Sequence, residues 1–129
     1  MLDARIRMPL IAALAITVVA GAAASAERFD TSGIKPDATL AARLPDKIKS
    51  SGTLTIGSDT SYAPWEFLSE EDGQTPEGID VDIANAIGKK LGVQIDFRTS
   101  AFDAILPALG TKFDIGVSAF STTNERMKA

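Results

Sequence analysis

The sequence predicts an α/β fold built on a parallel βαβαβ sheet. Three observations carry that prediction. Thr53-Leu54-Thr55-Ile56-Gly57, Val93-Gln94-Ile95-Asp96-Phe97-Arg98 and Phe113-Asp114-Ile115-Gly116-Val117 are short runs with β-branched or aromatic residues, set off by glycine or polar stretches. Between the first two lies a stretch with helical spacing: Ile83, Ala84, Ile87 and Leu91 fall on one face. Between the last two lies a second, shorter helical run. Parallel neighbours need crossover connections, so this order reads as one parallel sheet.

Residues 1–26 read as a secretory leader. Arg5 and Arg7 make a basic front, Leu10 to Ala20 is an uncharged apolar core, and Ala24-Ser25-Ala26 is a small-x-small cleavage site before Glu27. A retained membrane anchor is the alternative, because the uncharged run is long enough to span; its Gly/Ala/Ser-rich last third favours cleavage. The expected localisation is periplasmic or secreted, with no cysteine to carry a lipid. Residues 27–43 read as a flexible lead-in, polar at first and broken by Gly33 and Pro36. Residues 44–129 then form the folded unit.

Leu40 to Lys49 supports one or two helical turns, with Pro45 at a start position and Ser50-Ser51-Gly52 as the breaker. After the first strand, Glu70-Glu71-Asp72-Gly73 reads as a solvated turn inside a hairpin-like excursion. Asp80 is the expected N-cap of the long helix, Lys89-Lys90 suits its last turn, and Gly92 closes it. Ala101 to Gly110 reads as a short helix, with Asp103 near its start and Pro107 in its first or second turn. Thr122 to Arg126 reads as the first turn of another helix, capped by a hydroxyl.

Composition removes several functions. The 129 residues are 45% apolar and 23% charged, with no Cys and no His, so disulfides, Cys/His metal sites and Ser-His-Asp catalysis are excluded. A carboxylate-only metal site is left open by this inventory, but the acids at 70–72 have no partner oxygens in view, and no metal or other cofactor is expected. The net charge is −4 with no basic cluster beyond Lys89-Lys90, which argues against nucleic-acid partners.

Open parallel sheets bind ligands beyond the carboxyl ends of their strands. Those ends are Ser58 to Trp65, Thr99 to Phe102, and Ser118 to Arg126. Tyr62, Trp65 and Phe102 offer an apolar wall or a cation–π face. Asp59 offers an acceptor. Ser118, Ser121 and nearby backbone N–H groups offer a carboxylate cradle, and Arg126 a bidentate clamp. Each also has a plain structural role available: Trp65 in a core, Phe102 as a staple, Asp59 as a turn cap, Arg126 on the surface. Glu66 reads as a structural or surface acid and not a general acid, and Phe67 as core. Clustering at the strand ends is what raises the set.

At these residues the chain resembles the periplasmic amino-acid-binding proteins of ABC importers, the bacterial extracellular solute-binding proteins of family 3. The resemblance runs from about Leu44 to Ala129. It rests on the blocks Tyr62 to Phe67, Gly78 to Ala84, Lys90 to Val93, Phe102 to Leu109, Phe113-Asp114, and Thr123-Asn124-Glu125-Arg126. It implies a type II periplasmic-binding-protein-like fold, of which this chain holds an incomplete first lobe. It implies a monomeric binding protein that closes on a polar amino acid and delivers it to membrane permease subunits. Asp59 and Tyr62 would line the side-chain end, and Phe102 would pack on the ligand. Ala119 and Ser121 would contact the α-carboxylate, and Arg126 would pair with it. Trp65 stands where the family usually has Phe, Ala119 where Gly is common, and Ser121 where Thr is common. Family members continue into a second lobe, so a truncated product or fragment is expected, with half a site, an unpaired sheet edge and an undersized core. The alternatives are an enzyme on the same scaffold, such as a cyclohexadienyl or arogenate dehydratase, and a non-functional remnant. No poised acid–base pair in the sequence supports catalysis.

Overall fold

The computed structural model describes residues 28–128, and the leader reading of residues 1–26 lies outside them. The chain enters through α1 (Ala38–Ala41) and α2 (Asp46–Ser51) and runs into the first strand, β1 (Thr53–Ser58). A small meander follows, of β2 (Ser61–Tyr62), β3 (Glu66–Leu68) and β4 (Pro76–Glu77). The long helix α3 (Ile79–Leu91) leads to β5 (Gln94–Thr99), and the short helix α4 (Phe102–Ile105) leads to β6 (Ile115–Gly116).

The predicted parallel sheet is present, with strand order β5-β1-β6. β1 pairs along its whole length with β5, Thr53 facing Gln94 and Ser58 facing Thr99. On its other edge it meets β6 only at Ile56–Ile115 and Gly57–Gly116. β2, β3 and β4 form a separate antiparallel sheet, which is the hairpin-like excursion around the acidic turn. The centre of the core is Ile48, Leu54, Ile56 and Ala84, with Val93, Ile95, Phe97 and Val117 packed round it. β1 is central in the sheet, which is why Leu54, Ile56, Gly57 and Ser58 are all buried.

Four local expectations change. α3 begins two residues earlier than expected, with Gly78 at the cap and Asp80 inside the first turn. Its first N–H groups find loop carbonyls instead of a side-chain cap: Ile79 N–H donates to Pro64 O (3.1 Å) and Asp80 N–H to Trp65 O (2.9 Å). The buried face of α3 is Val81, Ala84 and Gly88, whereas Ile83 and Ile87 are 53% and 48% exposed. Gly88 sets that rotation, because a Cβ there would stand 2.6 Å from Ile95 Cγ1, so the helix lies close on β5. The run after Phe102 leaves α-helix geometry at Leu106 for a 3₁₀ turn, Leu106–Ala108, where Pro107 sits near the start.

The lead-in is the fourth. Read as flexible from sequence, it carries a helix capped by Asp37, whose carboxylate accepts from the N–H groups of Thr39 and Leu40. It is tied to α3 by Asp37 N–H to Lys90 O (2.8 Å) and by Phe29 N–H to the Asp82 carboxylate (3.1 Å). No helix among the described residues is long and apolar enough to cross a membrane.

Candidate ligand-binding site

β1 and β6 run parallel, so their last residues emerge side by side, and α4 begins next to them. Ser118 follows β6 and is buried. Its hydroxyl accepts from Asp59 N–H (2.9 Å), just past β1, and donates to Glu66 Oε1 (3.1 Å) on β3. One serine therefore joins both strand ends to the meander. Thr60 and Thr99 add a hydroxyl pair (3.0 Å) between the ends of β1 and β5.

Above this junction lies a cavity of about 320 Å³, lined by Asp59, Ser61, Tyr62, Glu66, Phe102, Ser118 and Ala119. The fold thus brings together five of the residues expected from sequence: Asp59, Tyr62, Phe102, Ser118 and Ala119. Tyr62 projects freely and is 57% exposed. Asp59 is half-buried and is braced by Ser61 Oγ at 2.6 Å. Ala119 sits at φ +44°, in the left-handed region where a glycine would rest without strain.

Three expected residues do not line the cavity. Trp65 is 43% exposed, because the Pro64–Trp65 backbone is committed to the start of α3. Ser121 offers its carbonyl to Arg126 Nη1 (2.9 Å). Arg126 lies over two rings, its Cζ 5.2 Å from the centroid of Phe102 and 5.4 Å from that of Phe120. In place of the expected helix, residues 126–128 form a 3₁₀ turn, with the predicted hydroxyl cap provided by Thr123 Oγ1, which accepts from Arg126 N–H (3.2 Å). Ser118 also differs from expectation, since its only proton is already given to Glu66.

Glu66, read from sequence as a structural acid, is the residue that reading undervalued. It is 1% exposed, and its Oε2 is buried without a hydrogen-bond partner. Burial pushes its carboxyl up to about 6; the hydrogen bond from Ser118 opposes that rise, and Asp80 and Asp59 add to it. Its place between Trp65 and Phe67 in a strand was the available signal. Among the described residues no group of three or more His, Cys, Asp or Glu side chains is placed to hold a metal ion. A larger open cleft of about 450 Å³ lies between the lead-in and α3, away from the strand ends, and its basic groups Arg28 and Lys89 are exposed.

The parallel βαβαβ sheet, with a polar and aromatic cavity at its carboxyl edge, is an incomplete first lobe of the type II periplasmic-binding-protein fold by its likeness to solved structures. Residues 54–129 match the family model of the bacterial extracellular solute-binding proteins, family 3, and the chain belongs to that family. It is 34% identical over 97 residues to the lysine/arginine/ornithine-binding periplasmic protein of Escherichia coli (strain K12), covering 74% of this chain and 34% of that one. Among solved structures it is similar to the ancestral cationic amino acid solute-binding protein AncCDT-1, with 43% identity and a TM-score of 0.60 over 70% of this chain and 37% of that one. It is also similar to the arginine-bound form of domain 1 from TmArgBP, with 38% identity and a TM-score of 0.61 over 66% of this chain and 67% of that one. The chain spans 34% and 41% of the length of two further curated relatives, named as amino-acid and L-cystine binders.

Proposed function

We propose that this chain provides the first-lobe half of an amino-acid site in the extracytoplasmic binding component of an ABC importer, and that the amino acid is cationic. The observation that carries the reading is the cavity itself. It sets two acidic residues, Asp59 and Glu66, beside the rings of Tyr62 and Phe102. A cationic side chain would stack on the rings and give its protons to the two acids. The α-carboxylate would lie toward Ala119 and Ser121, within reach of Arg126. Trp65 has no part in this arrangement. Some of the relatives are named for lysine, arginine and ornithine or for cationic amino acids, and others for L-cystine.

A lone first lobe has precedent for holding such a molecule, since domain 1 of TmArgBP is described with arginine bound. Delivery to permease subunits outside the cytoplasmic membrane belongs to the same proposal, with no catalytic step by this chain.

The test is calorimetric titration of the purified chain with L-arginine, L-lysine, L-ornithine, L-glutamine, L-cystine and L-glutamate. Cationic amino acids should bind best, and Asp59→Asn should weaken them about tenfold or more, the scale of one charge-assisted hydrogen bond. Strongest binding of L-glutamate would overturn the cationic assignment. Heat from none of the six would overturn the reading as a whole.

A further inference from the structure

We infer that Phe120 is a positioning residue that holds the Arg126 guanidinium beside the cavity, ready for a ligand carboxylate. This rests on the proposed function above. Phe120 does not line the cavity, so any influence on binding must pass through its neighbours.

Arg126 needs such a support. It stands on a three-residue 3₁₀ turn whose next residue, Met127, is 68% exposed. The backbone there is held by the Thr123 cap, by Met127 N–H to Thr123 O (3.1 Å) and by Lys128 N–H to Glu125 O (3.1 Å). An arginine side chain on so short a turn has many rotamers open to it. Three contacts remove that freedom. The guanidinium carbon is 5.2 Å from the Phe102 centroid and 5.4 Å from the Phe120 centroid, and Nη1 donates to Ser121 O at 2.9 Å. The two rings are 4.8 Å apart and tilted by 32°, so the charge is shared between them.

That arrangement holds the guanidinium against the rings and uses one of its N–H groups. Among the described residues the Ser121 carbonyl is the only acceptor on this side chain. A guanidinium held by ring contacts with most of its N–H groups uncommitted suits a bidentate anion. Phe102 is the link, because it both lines the cavity and touches the guanidinium. Phe120 is seated in turn by Gly116 on β6, where an added Cβ would stand 3.3 Å from Phe120 Cε2 and 2.8 Å from Ile105 Cγ2. The order of support is therefore Gly116, Phe120, Arg126.

The experiment compares the wild-type chain with Phe120→Leu and Phe120→Tyr, using two probes. L-Arginine carries a carboxylate, and agmatine is the same molecule without it. Phe120→Leu should weaken L-arginine about two- to five-fold, the worth of one ring face, and leave agmatine unchanged. Phe120→Tyr should restore L-arginine affinity, and Phe120→Leu should have no further effect on top of Arg126→Ala. Equal weakening of both probes, or weakening of neither, would overturn the inference. If the wild type binds neither probe, the proposed function fails, and the inference is then decided without ligand. The Arg126 Nε–H resonance should move on Phe120→Leu through loss of ring current, with Phe120→Met as the second variant should the leucine protein not fold. A resonance that stays in place would refute the stack.

Discussion

Replacing Ser118 with alanine removes the one side chain that joins β1, β3 and the segment after β6. Both hydrogen bonds of its hydroxyl go at once: the Asp59 N–H loses its acceptor, and Glu66 Oε1 loses its donor. Ser118 is 3% exposed and Glu66 1%, so solvent does not readily substitute for either bond. An orphaned backbone donor costs roughly 1 kcal/mol. A hydrogen bond to an ionised carboxylate is worth about 1.5–3 kcal/mol, and one to its neutral form about 0.5–1 kcal/mol. The Ser118 bond also opposes the rise of the Glu66 carboxyl, so its loss drives that group further upward.

The cost should therefore depend on pH. In Ser118→Ala, Glu66 keeps a proton over a wider range in the folded chain, and stability falls more steeply as pH rises. Urea unfolding should give a loss of about 2.5–4 kcal/mol at pH 8, where Glu66 is ionised. At pH 4 the loss should be about 1.5–2 kcal/mol. A loss equal at both pH values would refute the coupling to Glu66. A loss below about 0.5 kcal/mol at either pH, the level of an ordinary surface change, would refute the junction itself.

Three further outcomes follow from the same geometry. Glu66→Gln should stabilise the chain at pH 8 by up to about 2 kcal/mol and leave it unchanged at pH 4: the folded carboxyl lies near 6 against an ordinary 4.5, so the wild type is most stable below 4.5 and loses that advantage as pH rises through 6. Urea titrations across that range read it directly, and a wild-type slope that survives in the glutamine variant would refute the assignment. Asp114→Asn should cost about 1–2 kcal/mol in urea unfolding at pH 7, because the carboxylate accepts from Lys47 Nζ (2.8 Å) and from Thr55 N–H (3.0 Å). Lys47 first and Thr55 second hold Asp114 below its ordinary 3.8, so this stability is present above that pH and is lost as pH falls through the lowered value; a variant gap that persists under strong acid would count against it. Gly78→Ala should cost about 3 kcal/mol or more in thermal unfolding, since residue 78 sits at φ +119° with Trp65 O and Pro64 O where a Cβ would lie, and an unchanged midpoint would refute that packing.

The sheet was legible in the sequence because its evidence is local. The runs 53–57, 93–98 and 113–117 each carry strand character, and the helical segments between them force parallel pairing. The location of the cavity followed from topology alone, since Asp59, Phe102 and Ser118 each stand just past or beside a strand end. The rotation of α3 was not legible. Periodicity marked Ile83 and Ile87, but the buried stripe is set by how closely Gly88 lets the helix approach Ile95, and a pattern of apolar residues does not record a backbone separation. The direction of Arg126 was hidden for a similar reason, because it depends on a ring at Phe120 that no ligand-centred reading selects.

Glu66 is the most informative of these differences. In the sequence it sits between two aromatic residues, where it reads as a structural or surface acid. In the fold it is buried at the base of the cavity with one oxygen unanswered. It destabilises the chain when ionised, through burial and through the neighbouring carboxylates of Asp80 and Asp59. On the proposed reading, the charge of a cationic molecule in the cavity would favour the ionised form, and the instability of the empty site would become part of its selectivity. On that account, saturating L-arginine should lower the apparent titration point of Glu66 in the wild type, and the stabilising effect of Glu66→Gln at pH 8 should shrink or reverse in its presence.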